Sequence, residues 1–88
     1  MLFEKYSYMN KPVDAIQFKY IDGNDGPKTT ELANKLGLKR SKNFPDFWEV
    51  QTYLGWKKIS NEDWIIKDEN GIVCILRNKE FDKVYKKI

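Results

Sequence analysis

Apolar and polar positions alternate along three stretches of the chain, and each alternation predicts a strand. In residues 12–20, PVDAIQFKY, Ile16, Phe18 and Tyr20 alternate with Gln17 and Lys19. Val13 and Ala15 fall on the opposite parity, which predicts a bulge near Ala15–Ile16 that re-aims the side chains. In residues 47–54, FWEVQTYL, one side carries Trp48, Val50, Thr52 and Leu54, and the other carries Phe47, Glu49, Gln51 and Tyr53. Gly55 ends this strand, and Trp56–Ile59 reads as a short return strand leading through Ser60–Asp63 into a third apolar stretch.

That third stretch, NEDWIIKDENGIVCIL over residues 61–76, is a hairpin whose register follows from burial. A two-residue turn at Asn70-Gly71 would set Ile66 opposite Ile75 and Trp64 opposite Arg77, scattering apolar side chains over both faces. A type I turn opened by Asp68, with Gly71 supplying the positive φ of a bulge, sets Trp64 opposite Leu76 and Ile66 opposite Cys74. This register collects Trp64, Ile66, Ile72, Cys74 and Leu76 on one face, and a single coherent face is the one that buries easily. Ile65 and Ile75 share the other face, with a helix as its cover.

Two segments repeat at helical rather than strand spacing. TTELANKLGL predicts a short helix near 29–37: Thr29 or Thr30 caps it, Leu32 and Leu36 share a face, and Gly37 stops it in the left-handed conformation. The preceding IDGNDGPKT is a loop by its Gly, Asn, Asp and Pro content, and the following KRSKNFPD is a basic, Pro-containing connection. At the end, Phe81, Val84, Tyr85 and Ile88 form a helical stripe with Asn78 available as a cap. A second reading has one helical turn over Lys79–Asp82 handing over to a strand, Lys83–Ile88, that closes the sheet beside the first strand. The expected fold is α+β: a small, mainly antiparallel sheet of four or five strands, open or partly closed into a barrel, with one short helix and a helical or helix-turn-strand C-terminus.

Composition narrows the class. Eighty-eight residues make one domain, which buries only roughly 60–65% of the surface its unfolded chain exposes. Apolar residues at 41% and charged residues at 33% describe an ordinary globular domain, and 15% aromatic residues supply core area that length denies. Sixteen basic against thirteen acidic residues leave +3, a mild bias toward polyanionic partners. Cys74 is the single cysteine, so there is no intramolecular disulfide, and the start shows neither a signal-peptide pattern nor a membrane span. A cytoplasmic location without membrane association is the expectation.

The two ends of the chain resemble small proteins encoded by bacteriophages and prophages. YMNKPVDAIQF, residues 8–18, is similar to their opening Tyr, Lys-Pro-Val step and Ala-x-Gln-aromatic strand. EDWIIKDENGIVCILRNKEFDKVY is similar to their closing Gly-Asp-Trp-Ile-Ile run, turn, strand and Phe-x-x-x-Tyr ending, with Glu62 where that pattern has Gly. The resemblance implies origin and fold, and with them a location in the cytoplasm of a bacterial host. It implies no activity, and it does not reach the middle, Ile21 to Trp56, where partner specificity is expected to lie.

Candidate chemistry is thin. The chain has no histidine, which excludes Ser-His-Asp and Cys-His arrangements. Glu62, Asp63, Asp68 and Glu69 are carboxylates at turns, where such groups are normally solvated. Gly23, Gly26 and Lys28 do not have phosphate-loop spacing, and Pro27 removes a backbone donor an anion cradle would use. No catalytic residue, cofactor or metal ligand is expected, and Cys74 reads as a small core hydrophobe. The positive features are Lys35, Lys39, Arg40 and Lys42 beyond the helix, and Trp56 beside Lys57 and Lys58. On one face they would track phosphates while an indole stacks on a base; the alternative is a solvated lysine surface with Trp56 buried.

Three functions fit these residues. The first is a phage accessory protein that binds a host or phage protein without catalysis, for example inhibiting a host enzyme or defence component; it predicts exposed aromatic and apolar residues on the middle segment. The second is a nucleic-acid or nucleotide-binding module using the basic residues. The third is an assembly protein that self-associates through a sheet edge.

Overall fold

The structure, a computed structural model, describes residues 3–23, 26–43 and 47–88. The tip of the first loop, Asn24-Asp25, and residues 44–46 of the basic connection lie outside them. Among the described residues, eight strands and two helices follow in the order β1 (Glu4–Tyr8), β2 (Lys11–Gln17), α1 (Pro27–Lys35), β3 (Lys39–Arg40), β4 (Trp48–Thr52), β5 (Gly55–Ile59), β6 (Trp64–Lys67), β7 (Val73–Leu76), α2 (Asn78–Val84) and β8 (Lys86–Lys87). They form two antiparallel sheets, one ordered β7-β6-β2-β1-β8 and the other β3-β4-β5. The arrangement is broadly α+β and mainly antiparallel, as expected, but it has more strands than four or five, and the two sheets stay open instead of closing into a barrel.

The register of the β6–β7 hairpin is the one burial requires: Trp64 faces Leu76 and Ile66 faces Cys74. Asp68 organises the turn, its Oδ1 accepting the N–H groups of Asn70 and Ile72 at 2.8 and 2.9 Å. Gly71 supplies φ +81°, which costs a glycine nothing. Ile72, however, is exposed.

The parity break in β2 has a different cause from a bulge. Its ladder runs without interruption, Ala15 opposite Ile66 and Ile16 opposite Ile65, because both faces of the five-stranded sheet are buried. Val13, Ala15 and Ile66 face a cluster with Phe81, Tyr6, Trp64, Cys74 and Leu76. Ile16, Ile65 and Ile75 face the other cluster, built with Phe18, Ala33, Leu38, Trp48, Val50 and Ile59. A strand covered on both sides carries apolar residues on both parities. The Ile65–Ile75 face is thus the larger core, covered by the second sheet as well as by α1.

Strand β1 has no alternating signature in the sequence. It joins β2 through Met9 and Asn10 at φ +50° and +66°, the paired left-handed conformation of a two-residue hairpin turn. The C-terminus takes the helix-strand form, with β8 closing the sheet beside β1 rather than beside the strand at 11–17. Its helix is longer than one turn, and its strand is confined to Lys86–Lys87. Asn78 is not a cap; its Oδ1 accepts from Trp64 Nε1 at 2.9 Å and Gln17 Nε2 at 3.2 Å, tying α2 to the sheet.

Helix α1 is capped at Gly26, three residues before Thr29, with Pro27 in the first turn, where a missing N–H costs nothing. Thr29 is inside the helix and fully buried; its Oγ1 accepts the Ile21 and Asp22 N–H groups at 3.0 and 3.1 Å and anchors the preceding loop. The stop is as expected: Gly37 has φ +74°, and the Leu38 and Gly37 N–H groups donate to Ala33 and Asn34 carbonyls at 2.8 and 3.2 Å.

Under α2 the aromatic rings form one stack. Trp64 and Phe81 lie 3.8 Å apart and nearly parallel, Phe81 and Tyr85 4.7 Å apart, and Tyr85 and Tyr8 5.0 Å apart, while Tyr6 meets Trp64 and Phe81 edge-on. Tyr8, Trp64, Phe81 and Tyr85 are four of the five aromatic residues of the two terminal motifs, and the fifth, Phe18, is buried in the other core cluster. Those motifs therefore build the frame.

Candidate binding surface

The three-stranded sheet turns one face to the core and the other outward. Arg40, Trp48 and Ile59 stand opposite one another across the strands, as do Val50 and Lys57; Trp48, Val50 and Ile59 are buried, so this is the inner face. The alternate positions face out: Lys39, Glu49 and Lys58 in one row, and Gln51 and Trp56 in the next.

This register separates the seven basic and aromatic candidates. Lys39, Trp56 and Lys58 come together on the outer face, where Lys39 Nζ sits 4.2 Å from the centroid of the Trp56 ring and Lys58 Nζ 4.3 Å from that of Phe47. Arg40 and Lys57 belong to the inner face: Arg40 lies over the Trp48 ring at 4.4 Å, and Lys57 reaches the rim beside Cys74 and Ile75. Lys35 is on α1, 3.3 Å from Glu31, and Lys42 is exposed in the bend after β3. Lys39 and Arg40 are in a strand and not in the irregular connection expected of them, and consecutive strand residues point to opposite faces. No single basic groove unites the seven.

Trp56 is 39% exposed, so it is not the buried indole of the alternative reading. Its ring is already capped by the Lys39 ammonium, an attraction of about 0.5–1 kcal/mol at an exposed site, which a stacking base would have to displace. Glu49 stands in register between Lys39 and Lys58. A carboxylate in the middle of the row opposes a continuous run of phosphates.

Among the described residues, the exposed large apolar side chains Tyr53, Leu54, Trp56 and Ile72 lie at or beside the β4–β5 tip, while Tyr8, Met9, Ile21, Val84 and Ile88 are exposed elsewhere. Tyr53 and Leu54, the two turn residues, are 65% and 66% exposed. Leu54 does not continue the buried side of β4, because the chain reverses at Thr52–Gly55 before it reaches the core. Thr52 holds that reversal: its Oγ1 donates to the Gly55 carbonyl at 2.8 Å and accepts the Leu54 N–H at 3.1 Å. The tip rests on the edge of the other sheet, where the Tyr53 N–H donates to the Val73 carbonyl at 3.1 Å. On one side of it, Gln51, Tyr53, Ile72 and Val73 line a groove of about 350 Å³; on the other, Tyr53, Leu54, Lys57, Cys74 and Ile75 line one of about 160 Å³. Tyr53, Leu54 and Ile72 are not among the expected site residues: the alternation places Ile72 on the face that buries, and reads Tyr53 and Leu54 as the end of a continuing strand and not as its turn.

The carboxylates at the turns serve structure. Asp68 holds the β6–β7 turn, and buried Asp63 accepts the Ser60 N–H at 3.0 Å. Burial raises the Cys74 thiol above its ordinary pKa of 9.0, with a further push from the nearby Asp68 charge; such a thiol is mostly protonated at neutral pH. Among the described residues no group of three or more His, Cys, Asp or Glu side chains could hold a metal ion, and no helix is long and apolar enough to cross a membrane. Comparison of the chain with protein-family models, with curated proteins and with solved structures finds no match.

Proposed function

We propose that this is a small phage-encoded accessory protein that acts in the cytoplasm of a bacterial host by binding a host or phage protein, without catalysis. The observation that carries the reading is the β4–β5 tip, where Tyr53 and Leu54 project into solvent beside Trp56 and Ile72 although the chain has two complete apolar clusters in which to bury such residues. Exposed aromatic and aliphatic side chains in the middle segment are what a binding role predicts, and clustered exposure of this kind marks interaction sites. The resemblance of the two ends to phage proteins supports the origin, and their aromatic residues supply the frame. Affinity capture from bacterial lysate tests the reading: the wild-type protein retains a specific protein, and a Tyr53→Ser/Leu54→Ser variant does not.

A second reading, nucleic-acid binding, draws on Lys39, Trp56 and Lys58 on the outer face. Titration with single-stranded DNA at two salt concentrations decides it, since phosphate contacts make affinity fall steeply with salt. The Glu49 carboxylate and the capped rings favour the first reading.

A further inference from the structure

The two sheets end in four edge strands, and three of them carry basic residues: Lys39-Arg40 in β3, Lys57-Lys58 in β5 and Lys86-Lys87 in β8. Charges on an edge discourage pairing with a further strand. The fourth edge, β7, reads Val73-Cys74-Ile75-Leu76 and has none. Its register fixes which backbone groups look outward. The Asp68 N–H donates to the Ile72 carbonyl at 3.0 Å, so every second residue from Ile72, namely Cys74 and Leu76, turns its groups toward β6. Val73, Ile75 and the Arg77 N–H turn away from β6, and the Val73 carbonyl indeed accepts the Tyr53 N–H. Among the described residues, the N–H groups of Val73, Ile75 and Arg77 and the Ile75 carbonyl have no backbone partner on that side.

We propose that this edge is a docking site for an extended, acidic segment of a partner protein, which adds a strand beside β7 between the β4–β5 tip and the start of α2. The inference rests on the protein-binding role and names how the partner is held: by main-chain hydrogen bonds, with side chains entering the grooves beside the tip. The edge left free beyond the tip, from Ile75 to Arg77, spans about 7 Å at strand rise, enough for two or three residues. The segment is acidic because, among the described residues, Lys57 is the charged residue lining the groove beside Ile75, and Arg77 continues the strand. A second copy of β7 is the poorer occupant, because Val73–Leu76 carries no carboxylate to meet Lys57 and Arg77.

Two blocked heptapeptides test this, Ac-Thr-Val-Asp-Val-Asp-Val-Thr-NH2 and its counterpart with lysine for aspartate, each titrated into the labelled protein and followed by NMR. The acidic peptide shifts the Ile75 and Arg77 amides and slows exchange of the Ile75 amide at least tenfold; the lysine peptide does neither. Arg77 has φ −71°, which proline adopts without strain, so Arg77→Pro deletes one outward donor and keeps the backbone. It binds the acidic peptide about fivefold more weakly than Arg77→Ala, which loses the same charge and keeps the N–H. Equal response to both peptides, shifts confined to other residues, equal affinity of the two Arg77 variants, or shifts that follow protein concentration without peptide would each overturn the proposal. If the Tyr53/Leu54-dependent capture from lysate persists while these amides stay silent, the binding role stands and only the strand addition falls.

Discussion

Replacing Phe81 with alanine removes the ring that joins α2 to the five-stranded sheet. Phe81 is 2% exposed and stacks between Trp64 and Tyr85, with Tyr6 against its edge. Truncating a buried Phe costs about 3–5 kcal/mol, and the collapse that could lower this figure is hindered because three flat rings line the space. A domain of this length has roughly 4–13 kcal/mol of stability in total, so the variant loses a large share and is close to unfolding at the low end. In urea, with a slope of about 1.5 kcal/mol/M, the midpoint falls by between 2 and 3 M. Tryptophan fluorescence reads the transition, since Trp64 is part of the stack. Val84→Ala, three residues along the same helix and 43% exposed, costs under about 0.5 kcal/mol. Equal losses at Phe81 and Val84, or a loss below about 1 kcal/mol at Phe81, would mean that α2 is not docked through this face.

Other consequences follow from single residues. Asn78→Ala leaves the Trp64 and Gln17 side-chain donors without their shared acceptor and lowers stability by about 1–3 kcal/mol in denaturant titration; a neutral result would show that water replaces it. Glu62 is held at φ +75° by its N–H donating to the Phe18 carbonyl at 2.7 Å and its own carbonyl accepting from Gln17 Nε2 at 3.0 Å, so Glu62→Gly should raise stability by about 0.5–1 kcal/mol, and a loss would contradict the backbone described. Burial raises the pKa of Tyr20, Cys74 and Tyr85, and the hydrogen bond from Lys87 to Glu4 raises that of Lys87. In each case the folded state holds its proton longer than the unfolded one. Stability is therefore full below the ordinary thiol value of 9.0 and declines as pH passes it and then the tyrosine value of 10.0; thermal melts from pH 7 to 11 check the sign, and a rise above pH 9 would refute it.

The parts of the fold that were legible in the sequence are those in which local chemistry and burial agree. Asp68 and Gly71 fix the β6–β7 turn, and the alternation of Trp64, Ile66, Cys74 and Leu76 fixes its register. Gly37 marks the end of α1, and Trp48 and Val50 mark the inner side of β4. What escaped the pattern depends on tertiary packing. Val13 and Ala15 suggest a bulge only if one face of β2 is buried, whereas α2 covers one face and the second sheet covers the other. Strand β1 is hidden because Glu4, Lys5 and Ser7 are polar and its turn, Met9-Asn10, lacks glycine. The candidate site divided for a related reason: adjacency in sequence placed Lys39 with Arg40 and Trp56 with Lys57, but in strands adjacent residues face apart. Glu62 occupies a left-handed conformation that its own side chain does not signal.

A crossed capture experiment tests recognition by the β4–β5 tip most directly. Tyr53→Ser/Leu54→Ser is compared with Val84→Ser/Ile88→Ser, which removes exposed apolar side chains from the C-terminal segment instead. Both variants should show wild-type melting behaviour. Only the tip variant should lose the protein that the wild type retains from host lysate. Loss in the C-terminal variant with retention by the tip variant, or turnover of a substrate by the purified protein alone, would contradict a binding role seated at this tip.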